Sequence, residues 1–223
     1  MNNDIRGRIL QVAGQLFAER SYRSVSVREI CRRAGVNISA VNYYFRDKET
    51  LYLEAVRLAA RQCTRDLPIL TWSEADPPES KLRQFIQNML RSVVREQEPA
   101  WPAQLIMSEV VRPTRACRRF VREFVRPNFL ALLNILREFL PEHPPSQTLY
   151  RLAFSIVGQC LYYRLCRSVL SLLLGRQGNE LLEDIEGLTD HIFRFSLAGI
   201  RAIAKSRPRR DVGDKCLAPE ARA

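Results

Sequence analysis

Histidine is nearly absent: His143 and His191 are the two in 223 residues, and they belong to different segments. A zinc centre or a histidine-based acid–base pair therefore has too few imidazoles to draw on. The six cysteines, at 31, 63, 117, 160, 166 and 216, form no C-x-x-C and sit within apolar helical patterns. They read as small core residues of a reducing compartment, with a disulfide or metal role as the alternative. No phosphate loop or nucleophile–base pair appears, so the chain is not expected to be an enzyme, and no cofactor or metal is expected. No apolar run approaches the ~18 residues that span a bilayer, and the start M-N-N-D-I-R-G-R lacks the apolar region of a secretion signal. The expected compartment is the cytoplasm. Glycine is sparse, at nine residues, and no segment sustains the two-residue alternation of a half-buried strand.

What the chain does have is positive charge and helical periodicity. The formal net charge is +11, which favours a polyanionic partner, nucleic acid first and a membrane surface second. The charge is uneven: residues 1–48 hold nine Lys and Arg against four Asp and Glu, residues 205–223 hold six against three, and the 156 residues between carry only +3. With 46% apolar residues the chain can bury a sizeable core, and spacing near 3.6 residues recurs from end to end, so the expected fold is all-α.

The first predicted helix carries Ile5, Ile9, Val12, Ala13, Leu16 and Phe17 on one face and ends near Glu19 and Arg20. In S-V-S-V-R-E-I-C-R-R-A-G, Ser26 and Glu29 have capping-box spacing and Gly35 stops the helix. Asn37 can cap the next helix, which ends at Phe45-Arg46-Asp47 before a longer one opens with Lys48-Glu49 and runs to about Leu67. Two short helices joined around a glycine and preceded by a packing helix predict a helix-turn-helix. Later segments predict helices over 81–96, around Leu105 to Glu109, over 114–140 with a bend at Pro127, over 147–174 and over 179–204. The last two are too apolar for the surface of a monomer, and Ser196 and Gly199 are small enough to admit another helix closely.

Rotating Ile38 to Phe45 by 100° per residue brings Ile38, Val41 and Phe45 together as a core anchor. Ser39 and Tyr43 point nearly opposite, flanked by Ala40 and Asn42. This small, amide-bearing face suits a major groove about 12 Å wide: Asn42 can pair with adenine N6/N7, Ala40 can meet a thymine methyl, and Ser39 can bond a base edge or a phosphate. Tyr43, Tyr44, Arg28 and Lys48 are expected on phosphates, and Asn37 completes the predicted DNA-binding set. The plain alternative is that the tyrosines pack and the arginines form a solvated face.

The run S-V-R-E-I-C-R-R-A-G-V-N-I-S-A-V-N-Y-Y-F-R-D-K-E-T-L-Y resembles the DNA-binding domain of the TetR family of bacterial transcriptional regulators over about residues 5–60. Where many members carry Leu-Tyr-Tyr-His-Phe, this chain has Val41-Asn42-Tyr43-Tyr44-Phe45, so a contact at position 42 rests on the amide's own chemistry. E-P-A-W-P-A-Q-L-I-M-S-E-V-V-R-P-T and V-G-Q-C-L-Y-Y-R are similar to the CecR-like subgroup. The resemblance implies an Ω-shaped homodimer with a four-helix interface built from the last two helices, and a ligand cavity among the middle helices. Residues 1–48 would then be the helix-turn-helix domain, 49–205 the effector-binding and dimerisation domain, and 206–223 a flexible basic tail. The implied partners are an operator in double-stranded DNA and a small-molecule effector, with repression the usual mode and activation the alternative. Candidate pocket residues are Trp101, Leu105, Met107, Phe120, Phe124, Tyr162, Tyr163 and His191, with core packing as the alternative for the aromatics. Glu109 and Arg164 are charges that a bundle interior must pair or hold for a ligand, with a salt bridge to a neighbouring helix or simple exposure as the alternative for each.

Overall fold

The computed structural model describes residues 2–64, 72–73, 75–94, 99–115, 117–141 and 144–205. Among them there are helices and turns and no strand, as the periodicity predicts. The helices are α1 (Asn2–Glu19), α2 (Val27–Ala34), α3 (Ile38–Phe45), α4 (Lys48–Thr64), α5 (Pro78–Val93), α6 (Trp101–Val111), α7 (Cys117–Phe120), α8 (Arg126–Phe139), α9 (Ser146–Leu165), α10 (Arg167–Leu174), α11 (Arg176–Glu183) and α12 (Ile185–Lys205). None is long and apolar enough to cross a membrane. The tail expected at 206–223, and residues 65–67 of the predicted lever helix, lie outside the described residues.

The helix boundaries in the first third follow from local chemistry. Ser26 caps α2 by accepting from the Glu29 backbone N–H at 3.2 Å. A bond of this kind contributes about 1 kcal/mol. The reciprocal half of the predicted capping box is replaced, because the Glu29 carboxylate pairs with Arg20 at 3.1 Å. Gly35 ends α2 at φ +62°, a left-handed conformation that glycine adopts without steric cost. Asn37 Oδ1 accepts from the Ala40 N–H at 2.8 Å to start α3. Asp47 Oδ1 accepts from the Thr50 N–H at 2.7 Å to start α4, and these bonds hold the Asp47 carboxyl below its ordinary value.

Packing divides the described residues into two compact units, one within Met1–Leu67 and Glu96–Pro127, the other within Pro68–Arg95 and Asn128–Ala223. In the first unit α6 and α7 share a core with α1 to α4. That first core is built on Ile9, Leu16, Phe17, Ile30, Val41, Phe45, Leu51, Leu105 and Phe120. Gly14 on α1 lies directly beneath the Trp101 ring of α6, and a Cβ there would overlap the indole. The second core gathers Leu82, Ile86 and Leu90 of α5 with Leu132 and Leu136 of α8, Ile156 of α9, and Ile192 and Ile200 of α12. At its edge Lys81, buried to 4% exposure, donates to Glu138 at 2.9 Å, which compensates an ammonium that water does not reach.

Two expectations about helix continuity need correction. The predicted 114–140 helix is α7, a π-turn over Val121–Val125 and α8. The Arg126 N–H bonds back to the Val121 carbonyl, five residues away, immediately before Pro127, whose ring and missing N–H disturb the helical ladder at the preceding turn. The predicted 147–174 helix breaks at Cys166 into α9 and α10, and α11 precedes the last helix. Gly175 at φ +56° turns the chain between α10 and α11, and Gly178 brings α11 against the Leu170 carbonyl, where a Cβ does not fit. The cysteines at 31, 63, 117, 160 and 166 form no disulfide among the described residues. Burial pushes the Cys160 thiol up to about 12, so it behaves as a small core residue.

Candidate nucleic-acid interface

The α3 helix is held from one side and open on the other. Val41 and Phe45 are fully buried, and the Arg6 guanidinium lies over the Phe45 ring at 5.2 Å. Ile38, expected as the third anchor, is 44% exposed. It occupies the first position of the helix, where one further turn of backbone is missing on its N-terminal side to cover it. Ser39, Asn42 and Tyr43 are exposed, with Tyr43 at 76%. The Tyr43 and Tyr44 rings meet edge to face at 5.0 Å, and Tyr44 and Ala40 are half-buried against the first core. Asn37 is exposed, its carbonyl oxygen engaged by the cap and its amide nitrogen directed by that bond.

The basic rim differs from residue to residue. Arg28 is exposed on α2. Arg46 is exposed and takes φ +62° at the end of α3, an unusual conformation for a side-chain-bearing residue. Lys48 is half-buried, with its ammonium 4.5 Å from the centre of the Tyr22 ring. Burial lowers its pKa from the ordinary lysine value. The three cations stand on α2, at the end of α3 and at the start of α4, and the open face of α3 itself carries hydroxyl, amide and phenol.

Two family models divide the chain in the same order as these features. The model for bacterial regulatory proteins of the tetR family matches residues 9–55. The model for the C-terminal domain of the HTH-type transcriptional dual regulator CecR matches residues 78–200, more than half of the chain. The chain belongs to the TetR family of bacterial transcriptional regulators. The first match runs from within α1 to the middle of α4, and the second from the start of α5 into α12.

Individual relatives are distant. The chain is 29% identical over 115 residues to the HTH-type transcriptional regulator BetI of Agrobacterium fabrum, a match covering 51% of this chain and 55% of that protein. It is 22% identical over 166 residues to CecR of Shigella flexneri, covering 68% and 72%. The match to BetI thus spans about half that relative's length. Among solved structures, the hemolysin II transcriptional regulator HlyIIR superposes with a TM-score of 0.59 at 19% identity, covering 86% of this chain and 98% of that one. A TetR-family regulator from a Shewanella species gives 0.58 at 17% identity, covering 91% and 99%. At these identities the likeness concerns the fold.

The residues predicted to bind an effector fall in both units of this TetR-family chain. In the first unit Trp101, Leu105 and Phe120 are buried in the core, and Phe124 and Met107 are half-buried. The Trp101 indole Nε1 is buried without a hydrogen-bond partner. Glu109, at 1% exposure, is met by neutral donors: the Tyr52 hydroxyl from α4, and the Thr114 N–H and Oγ1 at 3.3 and 3.2 Å. Burial and the Glu109 carboxylate together push the Tyr52 phenol well above its ordinary value, so it stays a donor. In the second unit Tyr163 and Arg164 are half-buried, Tyr162 is exposed, and His191 is exposed with its ring stacked near Phe195.

Sequence reasoning missed the partners of Glu109 and Glu123. Tyr52 lies 57 positions before Glu109, and Arg57 lies 66 positions before Glu123, which it grips at 2.6 and 2.8 Å while also holding Glu54. Nothing in a single sequence pairs positions so far apart.

Proposed function

We propose that this chain represses transcription by binding a pseudo-palindromic operator as a homodimer, and that a small-molecule effector releases it. The observation that carries the reading is the division of α3, anchored by Val41 and Phe45 and open at Ser39, Asn42 and Tyr43. An outward face of amide and hydroxyl groups with cations on α2, at the end of α3 and at the start of α4 matches what a major groove asks for: hydrogen bonding at the centre, phosphate neutralisation around it. Asn42 is assigned to an adenine edge and Ser39 to a base or phosphate, with Ala40 contributing its methyl from a half-buried position. Tyr43, Tyr44, Arg28, Lys48 and the Asn37 amide are assigned to the DNA backbone. The chain is read as a regulator rather than an enzyme, acting in the cytoplasm on the DNA found there.

The dimer is read from α9 and α12. On α9 Phe154, Gly158, Tyr162 and Leu165 are exposed, and on α12 His191, Phe195, Gly199 and Ile203 are exposed at four-residue spacing. Gly158 and Gly199 have open space where a Cβ would be, so a partner helix can approach closely there. A two-fold axis through these faces sets two α3 helices about one DNA turn apart, roughly 34–36 Å. An effector with unequal affinity for two arrangements of the dimer weakens DNA binding by the same coupling free energy. The α4 helix, which follows α3 directly, is the proposed lever, and Met107, Phe124, Tyr163 and Arg164 are the proposed effector-responsive side chains.

The test is a competition titration of the full chain on the duplex upstream of its own gene against a scrambled duplex of equal length. The promoter duplex should bind at least ~10³-fold more tightly, with affinity falling steeply as salt rises. Equal affinity for both duplexes would end the operator reading. A transcription assay with and without the chain then gives the sign of regulation, which bears on the CecR relative's name as a dual regulator.

A further inference from the structure

A cleft of about 960 Å³ opens in the first unit between the end of α1 with its following turn, the first turns of α4, and the end of α6 with the following turn and the start of α7. Five arginines line it: Arg20, Arg23, Arg112, Arg115 and Arg118. Two glutamates share the wall, Glu19 and Glu49. Part of this charge is already matched, since Arg20 pairs with Glu29 at 3.1 Å and Glu19 with Arg33 at 3.5 Å. Arg23, Arg112, Arg115 and Arg118 have no carboxylate partner among the described residues, whereas Arg119 beside them is tied to Glu123 at 2.8 Å. Four uncompensated guanidinium groups thus face one hollow and oppose a single unmatched carboxylate, Glu49.

We propose that this cleft is a binding site for a small, multiply charged anion bearing carboxylate or phosphate groups. Guanidinium forks bond such groups in pairs, and charge-assisted bonds of this type are the stronger ones available to a protein. The shape favours a compact ligand over a phosphodiester strand, because the arginines converge from two stretches far apart in the sequence, 20–23 and 112–118, onto a concavity of the size small molecules fill. The wall also holds hydroxyls at Tyr22 and Ser108, which suit the remaining oxygens of such an anion, and those of Tyr52 and Thr114, which are engaged elsewhere. These last two, Tyr52 and Thr114, are the groups that hold buried Glu109. A ligand there touches the bond between α4 and α6, and Tyr52 stands one turn beyond Lys48. The site goes beyond the effector-responsive residues proposed above and needs none of them.

The test is calorimetric titration of the full chain with pyrophosphate and with citrate, each at an ionic strength held constant with sodium chloride. Saturable binding of at least one anion per chain is expected. The double substitution Arg115→Gln with Arg118→Gln should weaken it roughly tenfold or more, while Arg119→Gln should leave it unchanged. Thermal melts of each variant without ligand show whether the fold survives, and Arg112→Gln alone replaces the double variant if it does not. Absence of saturable binding of both anions, or an equal loss in Arg119→Gln, overturns the proposal. So does a double variant that loses affinity for every duplex alike while neither anion binds, which makes the cleft a DNA-backbone contact. Failure of the operator reading is distinct: it appears as no promoter preference in the unaltered chain while the anion titration stands.

Discussion

Among the open helical surfaces of the described residues, two have opposite chemistry. The α3 helix offers Ser39, Asn42 and Tyr43 to solvent, while α9 and α12 offer Phe154, at 65% exposure, and Phe195, at 66%, beside glycines. Each surface is backed by a fully buried aliphatic or aromatic anchor, Val41 and Phe45 in one case, Ile156 and Ile200 in the other. Hydroxyls and an amide are already satisfied by water and lose little by staying exposed. An apolar stripe gains about 25 cal/mol for each Å² that a partner covers. Exposure therefore does not identify a function by itself; the chemistry of the open face sorts the proposed partner, a polar groove for α3 and a second copy of the chain for α9 and α12.

The comparison breaks most sharply at Phe195. Phe195→Glu places a charge in the proposed α9–α12 interface and should convert the dimer to monomers by light scattering, lowering affinity for a palindromic duplex by ~10²-fold or more through lost bivalence. A variant that remains dimeric removes that face from the account. Next comes Asn42→Ala, which should relax base preference at one position of each half-site, a change of about 1–3 kcal/mol read by binding-site selection. Lys48→Ala should weaken all sequences alike and reduce the salt slope by about one charge. Reversal of these two patterns means that the roles of Asn42 and Lys48 are exchanged.

The smallest effect is a control that touches neither surface. Arg57 and Arg119 hold the Glu123 carboxyl down at about 2, against an ordinary value of about 4.3. A depressed folded pKa stabilises the fold above the unfolded value, and that contribution is lost as pH falls from about 4.3 toward 2. Melting temperature should therefore drop less steeply over that window in Arg57→Gln than in the unaltered chain. The two curves running parallel would show that the pair contributes nothing measurable, as exposed ion pairs often do.

The first third of the chain was legible in the sequence because its boundaries are local. Ser26, Gly35 and Asn37 act on backbone groups within four residues of themselves, and the α3 rotation follows from the helical period. The rotation overreached at Ile38, where an eight-residue helix cannot reveal which end lies uncovered. The breaks at Cys166 and Gly175 were hidden because α9 through α12 are apolar enough to read as continuous helix, and Gly178 matters only through the Leu170 carbonyl it meets. Of the predicted effector residues, Trp101 and Leu105 carry the same apolar signature whether they pack a core or line a pocket. The arginine cleft stayed invisible because residues 20 and 23 meet residues 112, 115 and 118 only after folding.

The most direct measurement of the central claim is a footprint of the purified full chain on the DNA upstream of its own gene. The account predicts one protected region with two-fold sequence symmetry and half-sites centred about one helical turn apart, roughly 34–36 Å, absent with Phe195→Glu and altered at one base per half-site with Asn42→Ala. Protection spread evenly along the duplex, or a single unsymmetrical half-site unaffected by either substitution, would contradict it.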